Sequence, residues 1–319
     1  MNLITGGSGF IGSHFHKAIP NNEIINLDLA EPLFEHDAHF IKGDIRVKDD
    51  VKKAIEGRGI RTIISLAAKH HDFGIGHDEY FDTNEDGTRI ICECASEFDI
   101  KEIIFYSSVA VYGSNNPVTT EETAPIPDLP YGASKLAGEK VLIDWAREDP
   151  NRKVLIIRPT VVFGPNNVAN MYKLIRQIDS GFYFHLGQAS NVKSLAYVEN
   201  LVKATLFLKN RMKQGVAIYN YSDEPHLTSH QIAETIATTL NRRIRFWLPT
   251  RIGILLGLPF DMLIKLTGKN LPISSARIRK LGTQTYHSAA KIAQEEFHPS
   301  YSTLEGIRKM VDWYLSRRN

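Results

Sequence analysis

A glycine-rich segment near the start of the chain restricts the possible folds more than any other feature. Thr5–Gly12 has the pattern Thr-Gly-x-x-Gly-x-x-Gly, with an apolar run before it and a helical pattern after it. This pattern is typical of a strand-to-helix turn that holds a pyrophosphate. Gly6 would permit the tight bend, Gly9 would let the backbone approach the phosphates, and Gly12 would allow close packing of helix on strand. A glycine turn that binds no ligand is the alternative, because such turns are common.

A carboxylate after the second predicted strand indicates which dinucleotide the turn would hold. Ile24–Leu27 is an apolar run that leads directly into Asp28. An acid at this position hydrogen-bonds the ribose hydroxyls of adenosine and repels a 2′-phosphate. The sequence therefore predicts NAD, rather than NADP, as the cofactor.

A tyrosine, a lysine and two serines suggest the chemistry. Tyr131 and Lys135 stand four residues apart, and on a helix this spacing puts them on one face, where an ammonium favours an ionised phenol. Ile103–Tyr106 predicts a buried strand, and Ser107 and Ser108 follow at its carboxyl end, where open α/β sheets bind ligands. By itself the tyrosine–lysine pair also fits an ordinary helix surface. Its position after a nucleotide-binding turn and a serine-ended strand favours a catalytic site.

These motifs, in this order, make the chain resemble the extended short-chain dehydrogenase/reductase family. Within it, the chain is most similar to the branch of NAD-dependent nucleotide-sugar epimerases and dehydratases, over nearly its whole length. The resemblance implies Ser108 as the catalytic hydroxyl, Tyr131 as the catalytic base and Lys135 as its partner. It also implies a cofactor site made of Gly6, Gly9, Phe10, Ile11, Gly12, Asp28, Asp44, Ile45, Leu66, Ala67, Ala68, Asn84, Ser107, Tyr131 and Lys135.

The resemblance gives some of these residues particular positions around the cofactor. Asp44 would bind the adenine amino group, and Ile45 would flank the ring. The segment Leu66–Ala68, after the fourth strand, would line the cofactor through its backbone and small side chains. Asn84 would support the hydrogen-bond network of the active site.

Short β-branched runs alternate with helical patterns through the first half of the chain, as in a parallel sheet built from βαβ units. The sequence predicts an α/β fold, namely a Rossmann-type, doubly wound parallel sheet with a smaller, interleaved C-terminal α/β lobe. The predicted strands lie near 2–5, 24–28, 38–41, 61–66, 102–107 and 154–158. We expect residues 1–165 to form the NAD-binding domain and 166–319 the substrate-binding lobe, with a return to the sheet near 216–221.

Composition agrees with an ordinary globular enzyme. A chain of 319 residues with 43% hydrophobic content can bury one large core and a smaller second one. A net charge of +2 gives no reason to expect nucleic acid or an anionic membrane as partner. Cys92 and Cys94 would point to different faces of a helix, which predicts packing in the core and no metal site.

The cysteines and the lengths of the apolar segments bear on where the protein is located. Reduced cysteines, and a first strand that starts at Asn2 and leaves no room for a signal peptide, predict a cytoplasmic protein. The most apolar window, 252–266, is shorter than the roughly 20 residues of a membrane span. It predicts an amphipathic helix or helix pair and no membrane span, with peripheral membrane contact as an alternative.

The second lobe is expected to select the substrate. In similar sugar-nucleotide enzymes a segment like the one ending at Asn170 meets the diphosphate, and a basic residue at the position of Lys193 pairs with it. Those enzymes usually have arginine there, and a lysine neutralises phosphate without the two-pronged contact. His70, in the loop after the fourth strand, is a further candidate for substrate contact alongside Ser108. A solvated lysine and a solvated loop are the alternatives for Lys193 and His70.

The residues after Ser108 separate the candidate reactions. The similar sugar 4,6-dehydratases carry an Asp-Glu pair there, because removing water needs an added acid and base, whereas this chain has Val109 and Ala110. The sequence predicts an NAD-dependent isomerase that epimerises C4 of a UDP-hexose or UDP-N-acetylhexosamine through a transient 4-keto intermediate. A 4-keto-sugar reductase and a 3β-hydroxysteroid-type alcohol dehydrogenase, both oxidoreductases, use the same residues and are the alternatives. A non-catalytic dinucleotide sensor is the alternative from another class, although such proteins typically lose the tyrosine or the lysine.

Two apolar helical stretches suggest the oligomeric state. They are Cys92–Ile100 and Leu142–Trp145. In related chains such stretches pair into a four-helix interface with two-fold symmetry. We therefore expect a homodimer.

Overall fold

A computed structural model of the chain describes residues 1–32, 38–69, 76–114, 118–267 and 284–318. The chain forms two compact units. The first comprises Met1–Val162, Val198–Ser222 and His287–Ser300. The second comprises Phe163–Tyr197, Asp223–Tyr286 and Tyr301–Asn319. Each unit is thus built from three separate segments of the chain.

The described strands and helices alternate along the first half of the chain. The strands are β1 (Asn2–Thr5), β2 (Ile24–Asp28), β3 (His39–Lys42), β4 (Thr62–Ser65), β5 (Glu102–Tyr106), β6 (Val118–Thr119), β7 (Lys153–Pro159), β8 (Val161–Phe163), β9 (His185–Leu186), β10 (Val192–Lys193), β11 (Leu195–Tyr197), β12 (Gly215–Tyr221), β13 (Leu227–Thr228), β14 (Trp247–Leu248) and β15 (Tyr286–His287). The α-helices are α1 (Phe10–Ala18), α2 (Lys48–Ile55), α3 (His77–Phe81), α4 (Gly87–Glu97), α5 (Pro130–Arg147), α6 (Asn170–Asp179), α7 (Val198–Lys209), α8 (Ser229–Thr239), α9 (Thr250–Thr267), α10 (Ala290–Gln294) and α11 (Thr303–Ser316).

The first unit is organised around a parallel sheet of seven strands, in the order β12-β7-β5-β4-β1-β2-β3. The order reverses at β1, which has β2 on one side and β4 on the other, and open α/β sheets bind ligands at such a switch point. Asn2 pairs with both Ile24 and Thr62, so these three strands end level at their carboxyl edge. The predicted doubly wound α/β fold is confirmed, and β12 lies where the chain was expected to return to the sheet.

Helices on both faces explain the composition of the central strands. Ile103, Ile104 and Phe105 are consecutive in β5 and all buried, as expected for a strand covered on both sides. The core of this unit also contains Cys92, Cys94, Leu142 and Trp145. Both cysteines are free thiols, as predicted. The residues cited for a dimer interface therefore contribute to the core of a single chain.

The second unit has a core of its own. α6, α8 and α11 pack around Phe163, Ile175, Tyr197 and Met310. The two later helices begin with capping boxes, in which a threonine or serine and a glutamine or glutamate three residues on satisfy each other's backbone N–H groups. Among the described residues no helix is long and apolar enough to cross a membrane.

Candidate functional site

The glycine turn has the geometry expected of a pyrophosphate cradle. Gly6 has a φ of +74°, and a Cβ there would lie 2.6 Å from the backbone nitrogen of Ala67. A Cβ on Gly12 would lie 2.3 Å from the carbonyl oxygen of Gly7, so only glycine lets α1 start this close to the turn. A Cβ on Gly9 would lie 3.3 Å from the Gly6 carbonyl oxygen, the nearest atom outside the adjoining residues. The space beside Gly9 can therefore admit phosphates at the N-terminus of α1.

Asp28 is held at the edge of this turn. Its Oδ2 accepts the backbone N–H of Ser8 at 3.0 Å, and its Oδ1 accepts that of Ala30 at 3.1 Å. Each carboxylate oxygen has a further lone pair, so the group can also accept hydroxyls from a ribose. Phe10 and Ile11 form the half-buried first turn of α1 beside it. The turn and Asp28 thus fit the phosphate and ribose parts of NAD.

Asp44 and Ile45, the residues assigned to adenine, differ from each other in burial and in their contacts. Asp44 accepts hydrogen bonds from Nη2 of Arg46 at 2.6 Å and from Nε at 2.9 Å, and this contact lowers the pKa of the carboxyl group. Ile45 is only 5% exposed, and its Cδ1 would be 2.8 Å from a Cβ on Gly87, so its side chain packs under α4. Three half-buried residues follow β4 at the same edge of the sheet, namely Leu66, Ala67 and Ala68.

Asn84 ties two parts of the site together. It lies in a single turn of π-helix, a form that is frequent at functional sites. Its Oδ1 accepts the N–H of Lys69 at 3.0 Å, and its Nδ2 donates to the Lys69 carbonyl at 3.1 Å and to Ser134 Oγ at 2.9 Å. Ser134 in turn donates to the carbonyl oxygen of Tyr131 at 2.9 Å. This buried amide therefore links the loop after β4 to the first turn of α5.

Ser108 and Tyr131 lie on neighbouring segments. Ser108 caps the short 3₁₀ turn after β5, where its Oγ accepts the N–H of Ala110 at 3.1 Å. A Cβ on Gly132 would lie 2.3 Å from the Ala110 carbonyl oxygen, so α5 begins directly against this turn. The Tyr131 ring is half-buried, with its centroid 6.3 Å from that of Tyr80. The glycine after Tyr131 is thus what brings the tyrosine close to the serine.

Lys135 is buried one turn further along α5. Its side chain is 1% exposed, and Nζ lies 4.2 Å from the centre of the Phe105 ring. Burial lowers the pKa of this lysine to about 7, while the charge of Glu139 opposes the shift. A Cβ on Gly138 would meet the Phe105 ring at 2.9 Å, so a glycine is needed for α5 to pack this closely on β5.

A network of buried, hydrogen-bonded side chains stabilises the site. Ser107 donates to Oε1 of Glu139 at 2.5 Å, and Arg158 donates to both oxygens of the same carboxylate at 2.8 and 2.5 Å. Arg158 Nη1 also donates to the hydroxyl of Tyr112 at 2.8 Å, which donates to Asn220 at 2.8 Å. The network joins β5, α5, β7 and β12, and its hydrogen bonds fix the strand end that carries Ser107.

This network was not predicted from the sequence. Glu139 lies four residues after Lys135 on the same helix, and Arg158 precedes a proline at the end of β7. Both side chains are almost fully buried, and their contact raises the pKa of the arginine. The sequence held one signal for this pair, namely an acidic and a basic residue within elements that are otherwise expected to be buried. Buried charges are rarely left unpaired.

The predicted substrate residues are described in part. Asn170 is the exposed first residue of α6, and Lys193 is the half-buried last residue of β10, where its backbone pairs with Leu227 of β13. Both belong to the second unit. His70 lies outside the described residues.

One further cluster of possible metal ligands occurs in the described part of the second unit. It consists of His185, His230 and Glu234, whose ligand atoms lie within 4.8 Å of one another. His185 Nε2 is already hydrogen-bonded to Glu234 at 3.1 Å, and its ring lies 4.3 Å from that of Trp247. The cluster is a packed aromatic group as it stands.

Comparisons with known proteins agree with this geometry. The NAD-dependent epimerase/dehydratase family matches residues 2–221. N-acetyl-α-D-glucosaminyl-diphospho-ditrans,octacis-undecaprenol 4-epimerase of Escherichia coli O157:H7 is 36% identical over 98% of this chain and 94% of its own length. UDP-glucose 4-epimerase of Vibrio cholerae is 27% identical over 83% of this chain and 85% of its own. The structure of Thermus thermophilus UDP-glucose 4-epimerase in complex with NAD has a TM-score of 0.76, with 21% identity and 98% of each chain covered.

These findings confirm the predictions of a Rossmann-type fold, an NAD cofactor and an enzyme of epimerase type. The predicted activity, NAD-dependent C4 epimerisation of a nucleotide sugar, fits the activities of these relatives. The match to the family covers more than two thirds of the chain, including the glycine turn and the serine, tyrosine and lysine. The chain belongs to the NAD-dependent epimerase/dehydratase family.

Proposed function

We propose that this chain interconverts the C4 epimers of an N-acetylhexosamine carried on a diphosphate. The observation that carries the proposal is the environment of Ser108, where a hydroxyl lies against the helix of Tyr131 and Lys135 and is followed by the apolar residues Val109 and Ala110. This set can move a proton at a secondary alcohol but offers no additional acid–base pair for dehydration. Epimerisation needs only the former.

Three side chains divide the proton chemistry among them. Tyr131, as phenolate, removes the proton from the sugar's C4 hydroxyl. Ser108 donates a hydrogen bond to the same oxygen, since a hydroxyl that accepts a bond from Ala110 can still donate its own proton. Burial lowers the pKa of Lys135 to about 7. In its protonated form this lysine stabilises the Tyr131 phenolate. The proton returns from Tyr131 to the oxygen after the sugar has presented its other face.

The glycine turn and Asp28 fit the cofactor of this reaction. Gly9 at the start of α1 leaves room for the pyrophosphate, and Asp28 accepts the ribose hydroxyls. Held by these residues, NAD would supply the hydride acceptor and donor that epimerisation at C4 requires. We also assign to cofactor binding the residues after β4 and, through its backbone, Ser107, whose side chain is engaged by Glu139.

The second unit is proposed to hold the diphosphate. Asn170 begins a helix of ten residues, whose N-terminal N–H groups favour an anion, and Lys193 supplies a positive charge. UDP is one carrier that supplies such a diphosphate, and a polyprenyl diphosphate is another. The polyprenyl carrier is favoured by the 36% identity, over nearly the whole chain, to an enzyme named for undecaprenol-linked N-acetylglucosamine.

Product analysis tests this function directly. The purified protein should be incubated with UDP-N-acetylglucosamine and, separately, with undecaprenyl-diphospho-N-acetylglucosamine in detergent, and the products followed by NMR. We expect the galacto epimer to appear from at least one of them, without added reductant and without net consumption of NAD. Accumulation of a keto sugar with stoichiometric NADH would instead indicate a dehydrogenase. No reaction with either substrate would refute the proposal.

Homodimer formation and a cytoplasmic location complete the proposal. Partly buried apolar side chains of α4 and α5, namely Ile90, Val141 and Ile143, remain for an interface between two copies of the chain. Ile143→Asp should then produce monomers at micromolar concentration. Sedimentation of the wild type as a monomer would contradict the dimer.

A further inference from the structure

The second unit exposes a concentrated group of large apolar side chains. They are Phe182, Phe246, Trp247, Ile252, Leu255 and Leu258, called here the apolar surface. Phe182 is 80% exposed, Phe246 67% and Leu255 64%, although side chains of this kind are usually buried in a core. Exposed apolar groups that cluster in this way mark sites of contact with another molecule or a membrane.

Phe182 and Phe246 lie just before β9 and β14, Trp247 lies in β14, and the other three residues lie in α9. Trp247 pairs with His185 in the parallel ribbon of β14 and β9, and the Phe246 carbonyl accepts the His185 N–H at 3.0 Å. The Trp247 ring lies 4.3 Å from the His185 ring, which fixes one face of the indole while half of the side chain stays exposed. α9 follows two residues after this ribbon.

The exposed apolar side chains described in α9 share one side of the helix. At about 100° per residue, Ile252, Leu255 and Leu258 lie within an arc of about 120°. Arg251 is exposed and falls inside the same arc, between Leu255 and Leu258. The helix therefore presents an apolar stripe that includes one positive charge.

Basic residues are interspersed along the chain with those of the apolar surface. Arg243, Arg245 and Arg251 are exposed, and no ion pair in the described part of the chain involves any of them. Arg242 differs, because it pairs with the carboxylate of Asp179 at 3.3 Å. Although the whole chain has a net charge of only +2, this stretch is locally cationic. Apolar and aromatic groups bordered by arginine are complementary to the interface of an anionic bilayer.

We propose that the apolar surface docks on an anionic phospholipid bilayer as a peripheral contact. Aromatic side chains such as Phe246 would enter the headgroup region, and the arginines would pair with lipid phosphates. The proposal rests on the proposed function in one respect, since a diphosphate sugar on a polyprenol would be presented to the enzyme at this same interface. It assigns to helix α9 a role that the catalytic residues do not require.

Vesicle binding tests the proposal without any substrate. The full-length, NAD-loaded protein should be mixed with vesicles of phosphatidylethanolamine containing about one quarter phosphatidylglycerol, and with phosphatidylcholine vesicles, and then sedimented. We expect binding to the anionic vesicles that weakens as salt is raised. The triple variant Arg243→Gln/Arg245→Gln/Arg251→Gln should bind about a hundredfold more weakly, at about fivefold for each charge.

Matched variants separate docking from general surface effects. Phe246→Ser/Leu255→Ser should lower binding at least about tenfold, whereas Val118→Ser, a similarly exposed apolar residue of the first unit, should not. Lys213→Gln, an exposed charge of the first unit, is the control for the arginines. Retained NAD content and an unchanged melting temperature establish that the variants are folded. Wild-type protein that ignores both kinds of vesicle, or variants that bind as well as wild type, would overturn the proposal.

Two further measurements keep the outcomes distinct. Phe246→Ser/Leu255→Ser should leave turnover of soluble UDP-N-acetylglucosamine unchanged but reduce kcat/KM for a vesicle-embedded polyprenyl substrate at least about tenfold. Vesicle binding by a protein without epimerase activity would reject the proposed function while supporting the docking surface. Self-association that depends on Phe246 and Leu255, with no vesicle binding, would reject docking on lipid in favour of a protein interface.

Discussion

Burial of Lys135 predicts a measurable dependence of stability on pH. The ammonium lies over the Phe105 ring at 4.2 Å, and burial lowers its pKa from 10.5 to about 7 despite the opposing charge of Glu139. Between these two pH values the unfolded chain keeps a proton on this lysine that the folded chain has lost. Because the unfolded state then binds more protons, the free energy of unfolding rises with pH in that interval.

The size of the effect follows from the shift. Each pKa unit corresponds to about 1.4 kcal/mol, so Lys135 should add about 2 kcal/mol to the free energy of unfolding between pH 7 and pH 9. Lys135→Met preserves the length of the side chain and removes the titration. Urea unfolding of the cofactor-free wild type and variant, across this pH range, measures the difference in slope directly.

Lys140→Met is the matched control, because that lysine lies on the same helix but is exposed. It should leave the pH slope of the wild type unchanged. Lys135→Met should also lower turnover at least about a hundredfold, since it removes the charge that stabilises the Tyr131 phenolate. Equal slopes for wild type and Lys135→Met would refute the account and show that the ammonium stays charged in the folded protein.

Four other substitutions test separate parts of the site. Tyr131→Phe keeps the ring but removes the proton acceptor, so turnover should fall at least about a hundredfold while NAD affinity is retained; near-normal turnover would exclude this residue as the base. Asp28→Ala should narrow the preference for NAD over NADP in binding titrations, and equal affinities in the wild type would contradict the assignment. Glu139→Ala leaves the buried guanidinium of Arg158 without its carboxylate partner, so urea unfolding should show that the free energy of unfolding falls by about 3–5 kcal/mol. A negligible fall would mean that the pair is solvated. Lys193→Ala should raise the KM for UDP-N-acetylglucosamine about tenfold at low salt without changing NAD affinity, whereas an unchanged KM would remove this lysine from diphosphate binding.

Local patterns in the sequence were enough to place the framework of the first unit. The apolar runs predicted strands within one residue of β1–β5 and β7. For all of these but the edge strand β3, the reason is that a strand buried on both faces is continuously apolar. Gly6, Gly9 and Gly12 indicated the nucleotide turn because a backbone that bends this tightly or packs this closely excludes a Cβ. The order of motifs along the chain then indicated the family and its cofactor.

Tertiary structure decided what surrounds those motifs. Lys135 has a lowered pKa because a phenylalanine of β5 covers it, and the pairing of Glu139 with Arg158 depends on α5 lying against β7. The exposure of Phe246 and Leu255 could not be predicted from the sequence either, since an apolar residue in a helical or strand pattern is ordinarily expected to face the core. The sequence determined which backbone conformations and periodicities are possible, because those depend on neighbouring residues. Burial, charge pairing and surface exposure depend on contacts between residues far apart in the chain, and only the folded structure specifies them.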